Sequence, residues 1–384
     1  MRARRFVMAL LAFAAAALGA RSAGAFPQWQ FSAGAARCDQ CHFAPAGGGL
    51  LTGYGQDAAG EELATFGGNG AFLHGAVTLP AALGLGGDFR GAFVAEDVQD
   101  PAGTKLAVFP MQAQLNARFS LGDFSVYGSI ADRGQLRPNE DIVPDQNYQP
   151  ISTSWLISPE HWLMWRPSAV GPYVRAGRFF APFGLRFAEH TLFVRRDTGF
   201  NLMQETYNVS GGYLTDDLEL HVTAYAPDFV RHMGSNESGV AASFERRILG
   251  GTGSIGVQAR YAAMPGAGRT IVGAVAKSWI APARTMLLAE GDLLHTEAGA
   301  AGGSDGMVSA AGVALLPVKG LMGTFLWERK QTDLSARDTT TNAATGFISW
   351  FPFAHLEAQL YGQLASPAGQ PTAKIFLAQL HYFL

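Results

Sequence analysis

The chain has 384 residues, 28 of them basic and 31 acidic, for a net charge of −3, and it is 48% hydrophobic but only 15% charged. That balance leaves no electrostatic footprint for nucleic acid, which is excluded as a partner. Forty-seven glycines and so few charges do not suit a soluble enzyme, yet no run of about 18 apolar residues offers a transmembrane helix.

The chain begins with a secretory leader. Arg2, Arg4 and Arg5 form a basic start, residues 6–18 a short apolar core, and Ala23-Gly24-Ala25 a small-residue cleavage site, so 1–25 reads as a signal peptide. Behind it, Cys38-Asp39-Gln40-Cys41-His42 holds the only two cysteines. Two thiols spaced this way add across both vinyl groups of one haem and hold the adjacent histidine beneath the iron. The motif therefore reads as a c-type haem site, with Cys38 and Cys41 as thioether links and His42 as proximal ligand. A thioredoxin-like pair would need a βαβ context, and a zinc site would need two more soft ligands nearby. A disulfide between these two cysteines would close almost no loop.

Residues 26–80 form the haem segment. They are too few for a haem domain with its own sufficient core, so the segment is expected to act as a plug in or against a larger wall. Within it, Gly47-Gly48-Gly49 fits either backbone wrapping on a flat ligand or a plain loop, and residues 57–65 suit a short helix. No methionine lies between Phe43 and Pro80, so a sixth iron ligand from the segment itself would be His74; the alternative is that His74 is a linker residue and the iron takes a ligand from the wall, with His355 and His381 in reserve, or stays open.

From residue 81 to 384 the pattern is period-2 alternation. Gln112, Gln114, Asn116 and Arg118 alternate with Ala113, Leu115, Ala117 and Phe119; Glu219, His221, Thr223 and Tyr225 alternate with Leu218, Leu220, Val222 and Ala224. Later, Thr324, Glu328 and Lys330 alternate with Phe325 and Trp327, and Glu357, Gln359 and Tyr361 with Leu356, Ala358 and Leu360. Strands are expected at 83–96, 105–121, 124–134, 152–166, 172–180, 206–215, 217–226, 237–247, 252–263, 270–280, 283–296, 305–316, 321–332, 341–351, 354–365 and 373–384. Alternation alone also fits a soluble sandwich.

Connection lengths favour a barrel. Every second connection is tight, as at Leu121-Gly122-Asp123, Asp216-Asp217 and Gly250-Gly251, and the others are longer, notably 134–151 and 181–205. Short turns on one side and long loops on the other are the plan of an all-β transmembrane antiparallel barrel of about 16 strands. The final strand, apolar at Phe376, Ala378, Leu380, Tyr382 and Leu384, resembles the carboxy-terminal assembly signal of outer-membrane barrels. Trp155, Trp162, Trp165, Trp279, Trp327 and Trp350 lie near strand ends, where aromatic girdles belong. Charged Glu189-His190 and Arg195-Arg196-Asp197 fit either a long loop folding inward as a constriction of both signs or a solvated loop with no partner, while Glu140, Asp141 and Asp145 in the other long loop fit a draw for metal cations or, more simply, solvation.

A signal peptide, one Cys-x-x-Cys-His segment and a sixteen-stranded barrel in a single chain resemble the fused monohaem cytochrome-porins of bacterial outer membranes, whose best-known members oxidise iron. The likeness touches Phe31, Cys38, Cys41, His42, Pro45 and Tyr54-Gly55-Gln56, which stands where those oxidases tend to have Phe-Gly-Arg. The chain departs from them in Ala33-Gly34-Ala35 in place of a Thr-Gly pair, in its triple glycine and in its shorter barrel. The resemblance implies one covalent haem c in the outer membrane of a Gram-negative bacterium. Electrons would pass between an extracellular donor such as Fe(II) and a periplasmic carrier, a soluble c-type cytochrome.

The alternative is a solute porin whose haem segment is a plug or redox sensor. Arg90, Arg118, Arg175 and Arg260 share lumen-type parity with Asp88, Glu219, Glu290, Asp292 and Glu357, a mixed lining without clear selectivity. No phosphate loop or His-Glu-x-x-His motif occurs, and no catalytic residue is assigned.

Overall fold

A computed structural model describes residues 27–32, 34–97, 105–132, 156–201, 204–228, 237–297 and 302–384. Residues 1–26, where a leader is expected, Ala33, and the stretch with Glu140, Asp141, Asp145 and Trp155 lie outside the described residues.

Seventeen strand segments form one sheet. Leu156–Ile157 and His161–Trp165 both pair with the same neighbour, so they are one strand interrupted at 158–160, and sixteen strands remain among the described residues. They are β1 (Leu83–Asp97), β2 (Lys105–Leu121), β3 (Phe124–Asp132), the interrupted β4, β5 (Gly171–Phe179), β6 (Thr206–Leu214), β7 (Leu218–Ala226) and β8 (Ser238–Ile248). The second half is β9 (Gly253–Met264), β10 (Ala267–Ile280), β11 (Thr285–Glu297), β12 (Gly303–Val318), β13 (Leu321–Gln331), β14 (Thr340–Trp350), β15 (Leu356–Pro367) and β16 (Ala373–Phe383). Each strand pairs antiparallel with the next, and β16 returns to β1 in register from Asp88↔Phe383 to Asp97↔Lys374. Closure removes the edges and satisfies the ladder internally, which is what a lipid environment demands of a sheet.

The period-2 pattern becomes two faces. Gln114, Asn116, Glu219, His221, Thr223, Glu357 and Gln359 are buried inward, while Leu115, Val222, Phe325 and Leu360 stand 52–57% exposed on the outside. An apolar exterior around a polar, filled interior inverts a water-soluble protein and makes this a membrane-spanning barrel. No helix among the described residues is long and apolar enough to cross a membrane; the strands do so. Where proline would break a ladder, the register slips: Met111 bulges beside Pro110 in β2, and the β12–β13 pairing skips past Pro317.

Three sequence expectations need correction. Trp162 is not a girdle residue: it is buried in the lumen, stacked on Tyr127 with ring centroids 5.0 Å apart. Trp279 likewise packs against interior clusters, whereas Trp327 and Trp350 are outward. Nor is the alternation of short and long connections strict, since β9 and β10 meet across Pro265-Gly266 alone on the long-loop side.

Two further pieces fill the lumen. Residues 181–201 fold inward and are stitched to acids and amides of the wall: Gly184 N donates to Gln258 Oε1 at 2.8 Å, Leu185 N to Glu290 Oε2 at 2.8 Å, and Phe193 N to Glu328 Oε2 at 2.7 Å. The other piece is the segment before β1, which packs at the end of the barrel where the short turns lie.

Candidate functional site

The Cys-x-x-Cys stretch forms one helical turn, α1 (Cys38–Cys41), closed by His42 N donating to Cys38 O at 3.0 Å. Residues three apart on a helix share a face, so both thiols point the same way. After α1 the chain makes a narrow hairpin, with Phe43 N bonded to Leu50 O at 3.1 Å and a bridge between His42 and Leu51. Its tip is the triple glycine, with φ of 82° at Gly47, 84° at Gly48 and 64° at Gly49, a left-handed run that L side chains avoid. Thr52 then ties the returning strand to α1 through Thr52 Oγ1 to Gln40 O at 2.5 Å, and caps α2 (Gly53–Asp57), which runs on as a wider turn to Leu63. Gly55 lies against the Cys41 carbonyl so closely that a Cβ there would sit 2.2 Å from the oxygen.

Charge docks this segment to the wall. Asp39, buried between the two cysteines, receives Arg37 Nε at 2.8 Å and the Arg166 guanidinium from the β4–β5 turn, while Arg37 Nη1 reaches Asp216 of the β6–β7 turn at 2.7 Å. On the opposite side Lys277 Nζ donates to Gln30 Oε1 at 2.8 Å. Arg186 Nη1, from the inward loop, donates to Ala46 O at 2.5 Å. Plug, loop and wall are thus one packed body.

Between them lies a cavity that is partly open to solvent. Cys38, Cys41 and His42 line it from the plug, Phe183 and Arg186 from the loop, and His221, Glu245 and Lys277 from the wall. Burial, reinforced by Glu219, pushes the Cys38 thiol up to about 12, and burial with Glu62 pushes Cys41 to about 11. Both are therefore neutral thiols, unlike the low-pKa thiolate of an exchange pair. His42 is pushed down to about 4, first by burial and then by the Arg186 charge, so its imidazole is neutral at physiological pH and keeps a lone pair. Its ring is buried against the Gly48 and Gly49 backbone, which orients it.

This donor set suits a covalently held haem c. Two thiols one helical turn apart and a neutral histidine share one mostly apolar cavity; a cationic Arg186, which no carboxylate pairs with among the described residues, faces the same space. It does not suit a bare ion: among the described residues no group of three or more His, Cys, Asp and Glu is placed to hold one.

His74 is elsewhere. It is exposed near the barrel rim, its ring 4.4 Å from that of His355 and its Nε2 3.2 Å from Tyr382 OH, and it does not line the cavity. His355 and His381 have the inward parity expected of them, but His355 bonds Asn69 O at 2.9 Å and His381 lies between Glu357 and Asp88 at 2.9 and 3.2 Å. The residue that sequence reading passed over is His221. Its lumen parity was plain, but nothing in a strand sequence tells which lumen residue the plug will face. Gly302-Gly303-Ser304-Asp305-Gly306 has the spacing of a hydrolase nucleophile elbow, yet it opens β12 instead of joining a strand to a helix.

No protein-family pattern and no curated protein matches the chain. Solved structures match its fold. OprB of Pseudomonas putida aligns at a TM-score of 0.60 and 12% identity over 78% of this chain and 93% of that one. OmpT of Vibrio cholerae gives 0.56 at 7% identity over 80% and 100%. The outer membrane channel DcaP of Acinetobacter baumannii gives 0.54 at 12% over 78% and 96%. The chain thus has the fold of Gram-negative outer-membrane porins, and the outer membrane is where its apolar exterior belongs.

Proposed function

We propose that this chain is a haem-bearing outer-membrane barrel that carries electrons between an external donor and a periplasmic carrier. The observation that carries the reading is that Cys38, Cys41 and His42 line one cavity inside the lumen, walled by plug, loop and strands. A c-type haem bound there would supply a one-electron centre shielded from lipid. The residues of the chain would do the rest: the cysteines would anchor the haem, neutral His42 would ligate it and Arg186 would offer a positive charge to its carboxylates, while the clamp on Asp39 holds the segment against the short turns. Balanced, each turnover moves one electron. An external donor such as Fe(II) becomes Fe(III), and a ferric soluble c-type cytochrome in the periplasm becomes ferrous.

The porin reading has its own support, and the fold comparisons favour it more directly, since the barrel is shared with the outer membrane channel DcaP. Against a wide aqueous pore stands the filling of the lumen, where Leu192, Phe193 and Phe187 of the inward loop are buried among wall side chains. Proteoliposomes separate the two. With ferric cytochrome c enclosed and Fe(II) outside, the haem-loaded chain should reduce the cytochrome, and His42→Ala should not although its barrel is folded. Free passage of small sugars with no cytochrome reduction by any donor would replace the conduit with a channel.

A further inference from the structure

We infer that His221 of the barrel wall is the second axial ligand of the haem held by Cys38, Cys41 and His42, an assignment that rests on the haem reading above. His221 projects from β7 into the cavity that those three residues line from the plug. It is 5% exposed and so lies well inside the barrel.

Its ring is already oriented. Nδ1 lies 2.7 Å from Tyr173 OH, which in turn reaches Ser210 Oγ at 3.4 Å, so one ring nitrogen is committed to the wall. Nε2 is the other. Its nearest acid oxygen, Glu219 Oε2, is 3.5 Å away, at the outer limit of a hydrogen bond, and the second oxygen of Glu219 is taken by Arg247. An outer partner on one ring nitrogen is how metal-ligating histidines are oriented, and here the Tyr173 hydroxyl fixes one nitrogen of a ring that lines the cavity. His74, the alternative from the haem segment, lies off the cavity against His355. Because His42 comes from the plug and His221 from the wall, joint ligation would also tie the plug to the barrel through the iron.

The test is spectroscopic, on purified full-length protein matured with haem. Wild type should be six-coordinate and low-spin, and its reduced form should not bind CO readily. His221→Ala should turn high-spin and bind CO, while His74→Ala should keep the wild-type spectrum. Loss of β7 packing is controlled by His221→Met, which offers a substitute ligand and should stay six-coordinate with a different reduction potential. If both His221 variants keep the wild-type spectrum and potential, the assignment falls. Loss of the low-spin signal in His74→Ala alone would move the ligand there. A pyridine haemochrome and a protein mass showing no covalent haem in wild type would instead overturn the haem reading, and this inference with it.

Discussion

At Gly49 a single missing side chain sets the shape of the segment around His42. Its φ of 64° lies in the left-handed region, and a Cβ there would stand 3.1 Å from the Tyr127 hydroxyl. The triple glycine was readable either as a ligand wrap or as a loop; the structure shows a hairpin tip pressed on the wall, a role that depends on Tyr127 and was invisible locally. Valine at 49 should cost about 1–2 kcal/mol from the left-handed conformation alone. Limited proteolysis of the folded barrel should then cut the N-terminal segment faster than in wild type. Equal protection would show that the hairpin tip does not need this geometry. By contrast the grouping of Cys38, Cys41 and His42 is legible because they are adjacent in sequence, whereas His221 and Arg186 reach the same cavity from elements far away in sequence.

At the scale of elements, Asp39 clamps the front of the plug to the β4–β5 turn. A spacer residue inside Cys-x-x-Cys carries no information by type, yet here it is the carboxylate on which Arg37 and Arg166 converge. Its side chain is 1% exposed, so removing it leaves a buried guanidinium short of a partner. Breaking a buried pair from one side costs about 3 kcal/mol or more. Asp39→Ala should therefore loosen the segment from the β4–β5 turn while the barrel stays folded. Hydrogen exchange over residues 34–63 should rise sharply, with exchange in the strands unchanged. Unchanged protection of the segment would mean that Gln30–Lys277 and Arg186–Ala46 suffice to hold it. The inward loop was half legible. Its charges suggested a constriction of both signs, but Arg195 turns back on the carbonyls of Phe187, Ala188 and Phe200, and the wall acids spend themselves on loop amides. Charge type was visible in the sequence; which groups neutralise each other was not.

Over the whole molecule, the barrel was the most legible feature because a strand spells its two faces in alternate residues and the chain repeats that spelling sixteen times. The misread tryptophans mark the limit of the rule: Trp162 sits near a strand end but on inward parity, and parity governs. The same logic gives an energetic contrast between positions of opposite parity. Leu220 faces outward and Gln114 inward, hydrogen-bonded to Gln112 and Asn116. Arginine at 220 must carry a charge into hydrocarbon, at about 2–4 kcal/mol near the bilayer midplane and less toward the interfaces. Arginine at 114 meets a polar lumen containing Asp88 across the β1–β2 pair, so its cost should be much smaller. Refolding into lipid vesicles, followed by the shift in gel mobility between folded and heated protein, measures both. Equal losses at the two positions would mean that both faces meet water, the behaviour of a soluble sandwich.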